Sequence, residues 1–427
     1  MKKISIMLSA LILSSMFYTG CTRAADENYL RFAWWGNATR DQRTIEAARL
    51  FEQKNPGVTI ETEPTAWAGY FDRMNTLAAA GNLPHVMQQD VSYIKQYSDR
   101  NQLEDLTSFA QSGLIELIHW EESGLAGGRL NGKLVGLILG TNANGMNIDP
   151  EVLQRAGVII DDTIWTWTDY ERIALQVFQR TGVQTMPPAD LRQVMEHVAR
   201  QFGSPMFSFD DRFMGISQNQ AAYNAFKDWV ELHNRLLAAG VLYDPEDGFI
   251  QARAYEEYPI ARGRTWNNYN WSNQHIAYQN AAGRPLQYVM LPGVSEQREP
   301  FGTYLRASQY ISMLATANNK DLAARFIDFF VNDLEANRIL LAERGVPIPT
   351  HVRADLYSLV DADNKYLFDY ITRITPFTSP ADPPYPPAAG EVELTLRGGL
   401  FEILTGRISL DDGMNQMIQQ SNAILQR

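Results

Sequence analysis

Leu30-Arg31-Phe32-Ala33-Trp34-Trp35-Gly36-Asn37 opens the run whose reading decides the fold. Leu30 to Trp34 reads as a strand that ends at Trp35-Gly36-Asn37. Thr39 to Gln42 has the T-x-x-Q form of a helix capping box, and Ile45, Ala48 and Phe51 follow at helical spacing. Asn55-Pro56-Gly57 stops that helix. Val58 and Ile60 alternate with polar residues as a second strand. Tyr70, Met74, Leu77 and Ala78 mark the next helix, which Gly81 closes. Val86-Met87 is a short third strand leading into Asp90, and Ser92 to Arg100 reads as a helix. Strand, helix, strand, helix, strand at this spacing predicts βαβ units and a largely parallel sheet.

Upstream, Lys2 and Lys3 precede an apolar stretch from Ile4 to Tyr18, followed by Thr19-Gly20-Cys21. This reads as an export signal over residues 1–20. The stretch falls short of the ~20 apolar residues of a spanning helix. Cys21 is the only cysteine, so no internal disulfide can form. A lone cysteine after an apolar run and small residues has the form of a bacterial lipobox, although Tyr18 stands where Leu is usual. Acylation of Cys21 would tether the remainder to the outer face of the cytoplasmic membrane. The alternative is an ordinary cleaved signal and a free periplasmic protein.

The rest of the chain is too long for one ordinary domain, so two are expected. At 45% hydrophobic and 20% charged residues it is globular in composition. The formal net charge is −12, and residues 1–20 contribute only two lysines to it. That balance disfavours nucleic acid, whose binding needs basic patches. Nine tryptophans are present, several of them among Asn and Gly rather than in apolar runs.

Residues 150–291 are richer in helical patterns, with Tyr223 to Ala239 long and amphipathic. Leu322, Phe326, Phe329 and Phe330 predict one helix from Asn319 to Arg344, ended by Gly345 and Pro347. Thr378 to Gly390 is Pro-rich and predicted extended. Ser409-Leu410-Asp411-Asp412 caps a last helix.

These pieces, in this order, resemble the sugar-binding proteins of bacterial ABC importers, an extracellular solute-binding group that includes the maltodextrin-binding proteins. Phe32-Ala33-Trp34-Trp35 matches the first-strand motif, and Phe51 to Val58 the first helix and its turn. Leu77-Ala78-Ala79-Ala80-Gly81-Asn82-Leu83-Pro84-His85-Val86 matches "lAaGdlPDV". Gly132 to Gly136 matches "GklYglP", and Met146 to Gly157 matches "yNkdlfkkaG". Trp167 to Tyr170 is similar to "tWdel", Trp271-Ser272-Asn273 to a late "WSN", and Leu322 to Phe330 to "elAwkFidfl". His85 departs from the family's Asp and Met146 from its Tyr.

The resemblance implies an α/β periplasmic-binding-protein fold of type II. It has two lobes, three interlobe crossings and a ligand cleft between the lobes. It places the crossings near Gly140, Tyr304 and Pro347. The amino-terminal lobe is then 29–139 and 305–346, and the carboxy-terminal lobe 140–304 and 347–427. The implied role is the binding component of an importer with two permease subunits and an ATPase, working as a monomer that closes around an oligosaccharide by hinge motion. No cofactor or metal is implied.

A pyranose offers an apolar face of C–H groups and a rim of hydroxyls, so its site needs aromatic faces and complete polar partners. In an open α/β sheet the ligand lies beyond the carboxyl ends of the strands. Trp34, Trp35 and Asn37 follow the first strand, Trp67 and Tyr70 the second, and Asp90 the third. From the other lobe, Trp271 and Asn273 lie in the amide-rich Asn267–Gln274 run, Asn142 and Asn144 at the first crossing, and Tyr304 and Arg306 at the second. Trp34 alternates with Trp35, so it suits the core equally. Asp90 also suits a helix cap, Asn142 a turn and Arg306 a structural ion pair. Both neutral and uronic sugars fit the set, since an Arg fork also matches a carboxylate.

Other classes fit less well. The adjacent acids Asp161-Asp162 and Asp210-Asp211 point apart and follow no clear strand end, unlike a glycosidase carboxylate pair. The six histidines form no H-E-x-x-H, and neither G-x-S-x-G nor G-x-x-x-x-G-K-[ST] occurs. The expectation is a non-enzyme. A binding protein for a non-sugar solute, such as a peptide or polyamine, is the other reading kept open.

Overall fold

The computed structural model describes residues 27–36, 38–187, 191–249, 254–297, 299, 301–383 and 385–427. The export-signal reading, Cys21 and Asn37 lie outside them. Among the described residues nine strands are formed: β1 (Tyr29–Trp35), β2 (Thr59–Thr65), β3 (Val86–Gln89), β4 (Arg129–Leu130), β5 (Lys133–Leu134), β6 (Leu137–Ile148), β7 (Asn267–Trp271), β8 (Gln287–Val289) and β9 (Leu305–Met313). Seven of them make one sheet in the order β2-β1-β3-β9-β6-β7, with β8 also on β6. The opening βαβ reading holds: β1 pairs in parallel with β2 and β3, and helices Ala38–Lys54 and Trp67–Ala79 make the crossovers.

The expectation of a largely parallel sheet is corrected. Every pairing that involves β6 or β9 is antiparallel. Only the first hundred residues supply crossover helices between neighbouring strands; β6 and β9 run against each other between the two halves of the molecule. The sheet is therefore mixed.

The molecule has two lobes. One apolar core gathers Leu30 to Ile138 with Ala307 to Leu340 and Ile348. Separate cores gather Met146 to Ile424, and Ala143, Leu305 and Val346 with Val352 to Ile374. The changes of core fall inside β6, between Ile138 and Ala143, and inside β9, between Leu305 and Ala307. At these points three segments are tied together. The Ser308 hydroxyl donates to the carbonyls of Gly140 (2.9 Å) and Arg344 (2.5 Å), and Thr141 N–H donates to Val346 O at 2.9 Å. Gly140 has no room for a side chain: a Cβ there would lie 2.2 Å from Arg344 O.

Two local readings change. The capping box at Thr39 is absent, since Thr39 lies inside the helix that starts at Ala38. The helix expected from Asn319 to Arg344 is two helices, Lys320–Asn332 and Leu334–Leu340. Asp333 interrupts it with extended backbone and caps the second piece, accepting from Ala336 N at 2.8 Å. Tyr255 and Tyr258 pack edge-on against Tyr278 in a small satellite core. The last helix is capped by Ser409, which accepts from Asp412 N. Among the described residues no helix is long and apolar enough to cross a membrane.

Candidate functional site

The carboxyl ends of β1, β2 and β3 form one rim of the amino-terminal lobe, because the three strands are parallel and in register at Trp35↔Thr65 and Ala33↔Met87. Aromatic rings crowd that rim. Trp35 meets Trp67, Tyr70 and Phe71 with ring centres 5.0, 5.1 and 5.7 Å apart. Phe71 in turn stacks on Tyr93 at 3.7 Å. The layers differ in access. Trp67, the first residue of its helix, is 51% exposed, whereas Trp35 is 7% exposed.

Two of the candidates on this side lie in the core. Trp34 is fully buried, and its indole N–H donates to Asp41 at 2.9 Å. Strand alternation turns it away from Trp35 into the packing of Phe32. Tyr70 is also fully buried, with its hydroxyl donating to the Gln88 carbonyl at 2.9 Å. Asp90, half-buried, accepts from Ser92 N at 2.9 Å in a turn; the capping role weighed for it is not seen, because the helix begins only at Ile94, with Tyr93 at its N-cap and no side-chain cap bond.

The opposite wall is built on one face of the antiparallel ladder. Asn142 lies across from Arg306 and Asn144 across from Trp271, while between them Ala143 and Leu305 point into the core of the carboxy-terminal lobe. Side chains alternate along a strand, so Asn142, Asn144, Trp271 and Arg306 share the other face. The Arg306 guanidinium lies 4.8 Å over the Trp271 ring and 5.9 Å from the centre of the Tyr385 ring. Tyr304 meets Trp271 edge-on at 6.0 Å. Asn144 is fully buried, and neither atom of its amide has a partner among the described residues. Asn273 lies on the following turn, exposed to solvent.

Behind this face sits Glu196, on helix Leu191–Arg200. Its Oε2 accepts hydroxyl bonds from Tyr304 and Tyr385, both 2.8 Å, and its Oε1 has no partner among the described residues. Burial, with the nearby Asp382 carboxylate adding to it, pushes the Glu196 carboxyl up to about 7, against an opposing pull from Arg200. Arg200 pins the Pro-rich segment to this helix: it pairs with Asp382 and donates to the carbonyls of Ser379 and Pro380. Arg192 lies 4.8 Å over the Tyr385 ring and pairs with Glu393 at 3.1 Å.

Neither Glu196 nor Tyr385 was among the candidates from sequence. Glu196 reads as one acid on an amphipathic helix. Tyr385 carried a usable signal, an aromatic ring in a rigid Pro-rich stretch, where little else explains it.

A cavity of about 320 Å³ opens between the lobes. Lys95, Arg129 and Asn131 line it from one side, and Phe207, Asp211 and Tyr385 from the other. Among the described residues no cluster of His, Cys, Asp or Glu could hold a metal ion. Asp161 and Asp210 accept backbone bonds in turns. Asp162 pairs with Arg373 at 2.6 Å.

Comparison with known proteins agrees with this architecture. Residues 46–364 match the family model described as bacterial extracellular solute-binding protein. A putative ABC transporter periplasmic-binding protein, YcjN of Escherichia coli K12, is 27% identical over 113 residues. That match spans 26% of this chain and 26% of that protein. Three solved structures share the fold. An extracellular solute-binding protein of family 1 from Alicyclobacillus acidocaldarius has a TM-score of 0.81 at 24% identity, covering 93% of this chain and 98% of that one. A periplasmic oligogalacturonide binding protein from Yersinia enterocolitica has 0.78 at 19%, covering 93% and 99%. A cyclic alpha-maltosyl-1,6-maltose binding protein from Arthrobacter globiformis has 0.72 at 16%, covering 93% and 99%. With three quarters of its length inside the family model and a two-lobed α/β architecture around a cleft, the chain belongs to the bacterial extracellular solute-binding proteins.

Proposed function

We propose that this protein captures an oligosaccharide between its lobes and delivers it, by hinge closure, to the two permease subunits of an ABC importer driven by its ATPase. It is not an enzyme in this reading. The observation that carries it is the single ladder face on which Trp271, Arg306, Asn142 and Asn144 stand together with Tyr304 beside them. An indole plane for a sugar's C–H face and amide and guanidinium groups for its hydroxyls are what a pyranose requires. Trp67, exposed on the opposing rim, is the ring available from the other lobe. Trp34 and Tyr70 have no part in this site, and Trp35 supports Trp67 from below. Names of proteins that share the fold, which bind an oligogalacturonide and a cyclic maltosyl-maltose, lend the sugar reading further support.

The hinge in this proposal is the junction of Gly140, Ser308 and Arg344 to Val346, where the lobes meet in three passes of chain. Cys21 carries the lipid that holds the monomer at the outer face of the membrane. Mass spectrometry of the protein from membranes tests the anchor: an unmodified Cys21, or its absence from the mature chain, would remove it.

Ligand capture is tested by thermal shift across a glycan panel. A ligand at 100 times its Kd adds about 2.7 kcal/mol of stability by mass action, a readable rise in Tm. Sugars that leave Tm unchanged, where peptides or polyamines raise it, would overturn the saccharide reading in favour of a non-sugar solute.

A further inference from the structure

The charges around Tyr385 are unevenly matched. Arg192 has Glu393, and Arg200 has Asp382 together with backbone carbonyls. The Arg306 guanidinium has rings instead: Trp271 at 4.8 Å and Tyr385 at 5.9 Å. Among the described residues no carboxylate forms an ion pair with it. The remaining acid, Glu196, is turned to the phenols, with both hydroxyl bonds ending on its Oε2.

Aromatic rings satisfy the face of a guanidinium but leave its N–H edge, which carries five donors in a planar fork. Arg306 is partly buried, and a partly desolvated cation gains from an anion at that edge. The shape that fits two parallel N–H groups is a carboxylate or a phosphate. Asn144 supplies an independent observation. Its amide is fully buried on the same ladder face, directly across from Trp271, with donor and acceptor both unpartnered among the described residues. Leaving such groups unpaired is unfavourable. A sugar hydroxyl can donate to the one and accept from the other; an inorganic anion can only accept.

We propose that the natural ligand is an acidic oligosaccharide, and that a uronate carboxylate seats on the Arg306 edge while hydroxyls of the same sugar complete Asn144. This deepens the oligosaccharide reading and rests on it. The formal charge of −12 opposes anions at long range, so selection falls to the local field at Arg306.

Calorimetry at pH 7.5 tests it on the full mature chain. The probes are di- and trisaccharides of galacturonate, glucuronate, mannuronate and guluronate, each beside its carboxyl-reduced neutral counterpart. At least one acidic member is expected to bind ten-fold or more tightly than its reduced form. Arg306→Gln is expected to close that gap, and Arg306→Lys to narrow it, with ligand-free melting temperatures near that of the native chain. Should Arg306→Gln fail to fold, the Lys variant and the acid-to-neutral ratio of the native chain carry the test. Equal affinity for acidic and neutral members, or a gap that survives loss of the guanidinium, overturns the uronate assignment and leaves the oligosaccharide reading standing. Binding of no saccharide at all, with the chain folded, overturns both.

Discussion

Lys95 Nζ lies 3.4 Å from Asp211 Oδ2, and both residues line the interlobe cavity. Lys95 follows β3 in the amino-terminal lobe, and Asp211 sits on a turn of the other lobe at φ 61. Both side chains are a little over one quarter exposed, and Lys95 is shared with Asp99 at 2.7 Å. A pair of this kind contributes ~0.2–1 kcal/mol. Breaking it with Asp211→Asn, which tolerates the left-handed backbone, is expected to raise the ligand off-rate between about 1.5- and 5-fold without lowering Tm. Stopped-flow displacement reads this directly. An off-rate that does not move would mean that the pair contributes nothing to holding the lobes shut.

Trp34 and Trp271 separate packing from binding. Trp34 is buried and bonded to Asp41, so Trp34→Phe is expected to cost ~1–3 kcal/mol, chiefly by stranding that carboxylate. Ligand affinity should stay the same. Trp271 is half-exposed beneath Arg306. Trp271→Ala is expected to weaken ligand binding ten-fold or more while changing Tm little. Melting curves and calorimetry on both variants check the contrast, and a Trp34 variant that loses affinity at native stability would return that residue to the cleft.

The opening βαβ run was readable because each strand is short, shows an apolar or alternating pattern and is followed by a helix, the second of which has its stop signal at Gly81. β6 was not readable. It passes from one lobe to the other, and no apolar–polar alternation runs through it: Leu137 to Leu139 is continuously apolar, and Gly140 to Gly145 is small or polar on both faces. The break at Asp333 was hidden for another reason: apolar spacing continues through it, and only the side-chain cap marks the stop. Within the site, Trp271 and Arg306 stood out as an aromatic in an amide-rich run and a cation after a tyrosine. Glu196 and Tyr385 did not, because their partnership joins positions 189 residues apart, and no local pattern encodes such a pairing.

Gly140 tests the hinge. A Cβ there would meet the Arg344 carbonyl oxygen at 2.2 Å and its carbon at 2.7 Å, both backbone atoms. Flexible side chains could move aside, but these atoms belong to another pass of chain at the same junction. Gly140→Ala is therefore expected to cost ~1–3 kcal/mol and to shift the angle between the lobes. Small-angle scattering with and without ligand, beside Tm, reads both. Native stability with unaltered scattering would show that this junction tolerates separation.

Acid should weaken the fold through two histidines. Burial lowers His233 and His275 to about 4 from the usual 6.5. His233 Nδ1 is 2.9 Å from the Trp229 carbonyl, and its Nε2 has no partner among the described residues, so a second proton would be buried unpaired. Between pH 6.5 and pH 4 the unfolded chain binds more protons than the folded one. Stability then rises with pH through that window and is lost on acidification. Replacing His233 by Leu is expected to flatten the slope of urea-derived stability against pH in that window. An unchanged slope would show that His233 titrates normally in the folded chain.

Glu196 works in the opposite sense and touches the ligand site. Its folded value of about 7 lies above the usual 4.5, so the folded chain binds more protons between those limits. That contribution is fully present at low pH and fades as pH rises through 7. The groups facing it are the Tyr304 and Tyr385 hydroxyls, Asp382 on the Pro-rich segment, Arg200 and Arg192 on its own helix, and Arg306 from β9. A uronate arriving at Arg306 would meet an ionised Glu196 above pH 7 and a neutral one below, while remaining charged itself throughout. Affinity for an acidic sugar is therefore expected to be several-fold higher at pH 6 than at pH 8, and affinity for its carboxyl-reduced form to be flat. Glu196→Gln keeps an oxygen for the two phenols and removes the titration, so it should hold the pH 6 affinity up to pH 8. Calorimetry at both pH values on native and variant chains decides this; the same pH dependence in both would assign the titration to another group.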